Sequence, residues 1–362
     1  MRIVARLLVL LPLLWVERVW AVDCPQSNYE LTTQAEVDAL GATGCDSVPG
    51  YLYITNTTDI TNLDGLASLT NVWGQLVISD NDALTNLDGL TNITSVGHLY
   101  IHFNAVLTNL DGLINLTSVE GAMEIFENAV LDNTDGLANL NRVGSYLNVT
   151  MNRRLTNLDG LAHLTSVGGS LSISYNEDLT NLNGLANLAS VGSEGYGSPN
   201  LLVEWNTQLT NCRGIAPVLG WPAGPPNDSV LGEIKIESNA TGCNSLAEVL
   251  AAGPLQSPTA PAVISTDYED GKIILTVSVT DNGGTDITGY EATCTDSTNT
   301  FTGTSTSSPI TVSGLTNDVA YTCTVTATNS VGTSSASAAT APITPEETTT
   351  GLPIWLLYQI NQ

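Results

Sequence analysis

The stretch LTNLDGLAHLTSVGGSLSISYNEDLTNLNGL, residues 155–185, nearly restates itself before it ends. A repeat at fixed spacing constrains a fold more than composition does, because every copy must make the same contacts with its neighbours. The glycine of T-N-L-D-G-L recurs at Gly65, Gly89, Gly112, Gly136, Gly160, Gly184 and Gly214, a spacing of 24 residues that slips once to 23 and stretches to 30 at the last step. One unit reads L-x-I-x-x-N-x-x-L-x-x-L-x-x-L-x-x-L-x-x-V. The opening L-x-I alternates as a strand with one buried face does, and the later apolar residues come every three, as on a coil wound around a core. A single unit has too few apolar residues to bury itself, so stacking of units must supply the core.

Asn81, Asn104, Asn128, Asn152, Asn176, Asn206 and Asn239 follow each strand at one offset, and Asn62, Asn86, Asn109, Asn133, Asn157, Asn181 and Asn211 form a second column. Inward amides stacked about 4.8 Å apart can satisfy backbone groups at a bend and one another. The Asp-Gly or Asn-Gly of the motif reads as turn chemistry, with the side chain bonding nearby backbone and glycine taking a positive φ.

The motif L-x-I-x-x-N-x-x-L resembles the leucine-rich repeat. The longer unit with its flanking cysteines resembles the receptor L domain over residues 24–252. That resemblance implies a mainly β protein built on a right-handed β-solenoid with short capping helices, related to the ligand-binding parts of growth-factor and insulin-type receptors. The sequence has no furin-like module or kinase, so receptor signalling is not implied. The caps are read from TTQAEVDALG, with Thr33 and Glu36 as a capping box and Gly41 as the stop, and from NSLAEVLAAG, with Ser245 and Glu248. Six cysteines allow fifteen pairings, but their positions fall into three local pairs, Cys24–Cys45, Cys212–Cys243 and Cys294–Cys323. Each closes a moderate loop and contributes about 3 kcal/mol.

From GPLQSPTAP onward the period disappears and short alternating strands take over, the pattern of a small β-sandwich. This part resembles a fibronectin type III domain over about 257–343, with Leu315 to Tyr321 as its tyrosine corner and Asn329 to Gly332 as its last hairpin. The buried Trp usual in the second strand is missing from KIILTVSVT, and the Cys294–Cys323 bridge is expected to compensate. The chain is therefore divided into a signal peptide (1–21), the repeat domain (22–252), a linker (253–262), the C-terminal β-sandwich (263–343) and a polar linker with a short apolar tail (344–362), a candidate sorting or attachment signal.

The signal peptide is read from the basic Arg2 and Arg6, the apolar run Ile3–Val16 and the small-residue site Val19-Trp20-Ala21. Both it and the tail are too short to span a bilayer, so no transmembrane segment is expected in the mature chain. Export and an even cysteine count together place the protein outside the cell or on its surface. With 36 Asp and Glu against 9 Lys and Arg, the chain repels phosphate backbones, and nucleic acid is excluded as a partner.

Chemistry is sparse. His98 and His102 lie four apart on one strand, about 13 Å, too far to chelate one metal, and His163 sits in a turn without a Ser-His-Asp arrangement. No cofactor is expected. The one cation weighed is calcium at the column Asp64, Asp88, Asp111, Asp135 and Asp159, whose alternative role is to cap turns facing water. Glu204 and Glu237 are the paired acids a polysaccharide-active enzyme would need. Better supported is a binding face, since outward strand positions vary among units while buried ones do not. It comprises Tyr53, His98, Tyr100, His102, Phe126 and Tyr146, with Tyr175 and Trp205 just past their strands. Exposed aromatics on a rigid sheet hold protein or sugar ligands. These features lead to a non-enzymatic recognition or adhesion protein that binds a protein or glycan through the sheet face. Its rivals are a structural spacer of a surface layer or matrix, stiffened by calcium, and the enzyme.

Overall fold

The computed structural model describes residues 22–194, 200–225 and 228–347. The expected signal peptide, 1–21, and the expected apolar tail, from 348 onward, lie outside the described residues. Mainly β structure fills the rest. In the first part, fourteen strands form one parallel sheet, and each 24-residue unit stacks on the one before it. The long ladder pairs Ile54 with Ile78, Ile78 with Ile101, Ile101 with Ile125, and so on through Val149, Ile173, Val203 and Ile236. A shorter ladder repeats this with Val48, Val72, Val96, Val119, Val143, Val167 and Val191. Between them each unit makes one 3-10 turn, from Asp64–Leu66 through Arg213–Ile215. The three-residue apolar spacing is thereby explained, because each side of the coil points its aliphatic residues at one shared core. In one unit Leu76, Ile78, Leu84, Leu87, Leu90, Ile93 and Val96 are all at most 1% exposed.

The first asparagine column runs up the inside of the stack. Asn104 to Asn206 are fully buried. The backbone N–H and Nδ2 of Asn104 both donate to Oδ1 of Asn128, at 3.2 and 3.0 Å, and its Nδ2 also donates to the Ile78 carbonyl. The pattern repeats from Asn81 to Asn239, where the Asn239 N–H is received by Oδ1 of Asn244 in the C-terminal cap.

The second column does something different. Oδ1 of Asn62, Asn86, Asn109, Asn133, Asn157, Asn181 and Asn211 accepts the N–H two residues on, so each closes its own turn instead of stacking inward. The aspartates of the motif are therefore not the capping groups. The motif glycines do not take a positive φ either. They are glycine because the coils approach too closely for a side chain: a Cβ on Gly112 would lie 1.8 Å from the Leu87 carbonyl oxygen of the preceding unit. His163 has a structural place in the same scheme. It contacts the Ala138 carbonyl through Nδ1 at 2.6 Å, where Asn92, Asn115, Asn139 and Asn187 donate to the corresponding carbonyls of other units.

Helix α1 (Gln34–Gly41) covers the first coil with the expected capping box, Thr33 accepting from the Glu36 N–H and Glu36 accepting from the Thr33 N–H. The helix ends at Gly41, although not on a positive φ there. That glycine packs against Gly65 of the next unit, and the chain turns at Gly44 with φ 66°. Helix α2 (Leu246–Ala252) covers the other end, begins on Ser245 and ends on the left-handed Gly253. Cys24–Cys45 and Cys212–Cys243 are bonded beside the two caps.

Residues 262–328 form two three-stranded antiparallel sheets. Tyr321 is 1% exposed and its hydroxyl accepts the Thr316 N–H, which makes the tyrosine corner. Oδ1 of Asn329 receives the N–H groups of Val331 and Gly332, which closes the last hairpin. The Cys294–Cys323 bridge joins directly paired residues on neighbouring strands of one sheet, so it does not tie the two sheets together in place of the missing Trp. Phe301, edge-on to Tyr321 at 5.7 Å, and the aliphatic residues Ile273, Leu275, Ile310 and Val312 fill the core. Beyond the hairpin, Ser334, Ser337 and Thr340 each donate an N–H to strand Thr322–Thr328 and accept one through their hydroxyls, three residues on one side matching two on the other.

Two stability tests follow from this packing. Asn128→Ala strands several buried donors and acceptors at about 1–3 kcal/mol each, so denaturant unfolding should show a loss of roughly 3 kcal/mol or more, against under about 1 kcal/mol for Asn109→Ala at a half-exposed turn. Thr134 occupies the buried position that leucine fills in neighbouring units, and its hydroxyl has no hydrogen-bond partner among the described residues. Thr134→Val should raise stability by about 1 kcal/mol, since the shape is kept and an unsatisfied buried group is removed.

Candidate functional site

Strands of the long ladder alternate buried and half-buried residues, and the half-buried set faces away from the core. Register puts Tyr100 beside Glu124 and His102 beside Phe126. Along Ser95–His102, His98 stacks on Tyr100 with ring centroids 6.0 Å apart, and Tyr100 meets His102 edge-on at 5.6 Å. Tyr146, one residue before its strand, donates its hydroxyl to Oε1 of Glu124 at 2.6 Å. Nε2 of His102 lies 3.1 Å from Oε2 of the same carboxylate, a contact that is an ion pair only when the ring is protonated. Nδ1 of His98 accepts the Ala122 N–H, which leaves that ring's other nitrogen as the one bearing hydrogen in the neutral form.

This patch joins five of the residues singled out in the sequence around a carboxylate that was not. The His102 ring holds the Glu124 carboxyl below its usual range, and the Tyr146 hydroxyl adds to the effect against the opposing cost of burial. Burial, followed by the hydrogen bond to Glu124 and then its charge, pushes the Tyr146 hydroxyl upward. Most polar groups of the patch are thus engaged with one another. Tyr53 stands apart, stacked on Tyr51 at 4.2 Å and bonded to Gln75.

Tyr175 and Trp205 belong to a different feature. The residue directly before each asparagine of the inner column has a left-handed backbone: Asp80, Phe103, Glu127, Met151, Tyr175, Trp205 and Ser238 have φ between 53° and 60°. Turning the asparagine inward forces its predecessor outward. Phe103, Tyr175 and Trp205 are 43%, 41% and 47% exposed. Tyr175 and Trp205 stack with centroids 6.0 Å apart and planes 8° from parallel, and Phe103 meets Phe126 edge-on at 5.1 Å. Phe103 and Met151 were missed in the sequence, although a position fixed relative to the asparagine column marks them.

The aspartate column stands on the 3-10 side, exposed. Among the described residues no three of His, Cys, Asp and Glu gather to hold a metal ion. Crowding by the adjoining cleft wall, followed by repulsion from Asp135, raises the Asp159 carboxyl, although the residue is open to solvent on its other side. Glu204 and Glu237 are adjacent in register, but Nζ of Lys235 lies between them at 2.8 and 3.2 Å.

Where the column departs from aspartate, the C-terminal domain docks. Asn183 and Asn211 donate to the Gly284 carbonyl at 3.0 and 2.7 Å, and Arg213 pairs with Asp281 at 2.8 Å. A carboxylate at 183 would face that carbonyl with no hydrogen to give. Burial opposes ionisation of Asp281, but the Gly283 N–H and Arg213 outweigh it and hold its carboxyl below the usual range. A cleft of about 940 Å³ lies along this junction.

The patch makes a pH-dependent prediction. A carboxyl with a depressed folded pKa stabilises the fold above its unfolded value and loses that contribution as pH falls through the folded one. Glu124→Gln should therefore cost about 1 kcal/mol near pH 7, and the gap from the parent should close below about pH 4 in urea titrations.

No protein of curated function matches the sequence. Among solved structures the chain is similar to a multi-domain segment of titin, at 24% identity, covering 26% of this chain and 34% of that one with a TM-score of 0.24. It is also similar to titin kinase with its flanking domains, at 24% identity, 25% and 17% coverage and a TM-score of 0.23. A third is a fibronectin type III domain derived from the human KIAA0970 protein, at 20% identity, 27% and 80% coverage and a TM-score of 0.21. The chain thus spans about a third or less of the titin structures it matches. The family match lies in the C-terminal part, where residues 257–343 match the fibronectin type III domain.

Proposed function

We propose that this is an exported recognition or adhesion protein without enzymatic activity. It holds a protein or glycan on the outward side of its stacked coils, with the fibronectin type III domain as a spacer. On this reading the coils are a right-handed β-solenoid of the receptor L-domain type. The 24-residue period, the parallel ladders and the disulfide-tied helical caps support that assignment. Three disulfides accord with a place outside the cell.

The observation that carries the reading is the row of exposed side chains at the left-handed positions. A bulky residue in that conformation costs about 1 kcal/mol or more, and the exposed aromatics recover little of it by burial. Aromatic groups held rigidly in water are what binding surfaces use as anchors. The enzyme alternative is weakened at Glu204 and Glu237, because Lys235 occupies the space where a substrate atom would sit between them. Against the structural-spacer alternative, a spacer alone has no use for strained aromatics.

The test is capture of ligands from a glycan and surface-protein array by the mature protein, with the parent compared to Trp205→Ala and Tyr100→Ala. Trp205→Ala should lower affinity about thirtyfold, the effect of losing an anchor worth about 2 kcal/mol, without moving the thermal midpoint. Tyr100→Ala separates the polar patch from the ridge formed by the outward side chains at the left-handed positions, Phe103 to Trp205. Full capture by both variants would end the assignment to this side of the molecule.

A further inference from the structure

We infer that the partner on the ridge is an extended, lysine- or arginine-bearing protein segment, a step that rests on the recognition reading above. Coils repeat about every 4.8 Å, so the four steps from Phe103 to Trp205 span about 19 Å, the length of about six residues of extended chain. The ridge therefore offers room for a short strand-like segment laid across the coils. Its ring faces are the first element of recognition: Tyr175 and Trp205, stacked and more than 40% exposed, present π-surface at one end. Cations are drawn to such faces within about 6 Å of the ring centre.

Carboxylates are the second element. Glu127 stands in the ridge itself and is exposed. Glu177 follows Tyr175 by two residues, Glu204 precedes Trp205, and Glu237 lies one rung beyond Glu204. The bases nearby cancel these in part: Arg153 lies 3.7 Å from Glu177, Lys235 is held by Glu204 and Glu237, and with Arg154 the three bases leave the four acids one charge in excess. A formal charge of −27 over the chain extends the same preference over the whole surface. Long-range attraction of this sign speeds the approach of cationic partners, and the rings then select among them at contact. A neutral sugar gains nothing from the carboxylate surplus, and an anionic one is repelled by it.

The experiment uses the mature chain and two probes, a peptide of about ten residues alternating lysine and serine and a neutral cello-oligosaccharide of matched length. Binding is measured by calorimetry at about 50 and about 300 mM salt, where screening of exposed charges differs strongly. The peptide should bind, weaken roughly tenfold or more on the change of salt, and weaken by a similar factor in the charge-neutral variants Trp205→Ala and Tyr175→Ala. Glu127→Gln should weaken it a few-fold, while Asp64→Asn on the 3-10 side should leave it unchanged. Unaltered thermal midpoints confirm that the variants fold. Peptide binding indifferent to Trp205 and Tyr175 would be general attraction to an acidic surface and would overturn the inference. Ridge-dependent capture of the oligosaccharide without the peptide would also overturn it, while leaving the recognition reading in place. If neither probe binds, the cationic-partner inference fails, and the array described above decides the broader reading separately.

Discussion

The buried asparagine column sets the spacing on which everything else in the repeat domain depends. At the end of each strand the backbone bends and its N–H groups lose their ladder partners. Each side-chain amide replaces them, accepting from the coil below and donating to a carbonyl of that coil. A buried amide group left without a partner costs about 1–3 kcal/mol, so no level of the stack can shift without stranding groups on two others. The motif glycines and the turn-closing asparagines repeat at that same interval, because the close approach fixed by one column imposes the geometry of the other two.

The cost appears one residue earlier. To aim its side chain inward, each asparagine follows a residue with φ near +55°, a region bulky L-residues avoid. Asparagine or aspartate fills that position cheaply in the first units, as at Asn56 and Asp80. Later units place Phe103, Tyr175 and Trp205 there. The strain and the display of an outward side chain are thus two aspects of one bend.

Much of this was legible in the sequence, since a fixed period exposes register directly. The strands, the inward asparagines, the helical caps and the tyrosine corner all show as spacing or as local motif. What escaped notice depends on contacts between coils or between domains. The motif glycine looks like turn chemistry until the carbonyl of the preceding unit is placed beside it. Glu124 gives no sign of its role until Tyr146 and His102 arrive from neighbouring rungs. The change from aspartate to Asn183 and Arg213 looks like drift, yet it matches the hydrogen-bonding needs of Gly284 and Asp281, which the sequence places in another domain. The threonine and serine spacing after Gly332 was hidden for a similar reason, because three residues there are measured against two on a strand.

The left-handed positions also bear on how such a chain can change. Each coil contributes one outward residue that no core contact restrains, carried on a frame whose pitch is set by other residues. Substitution there rewrites one letter of a surface text and leaves the frame intact. Duplicating or deleting a whole unit would instead move every later letter by one rung, so that the domain can lengthen or shift its message without refolding its interior.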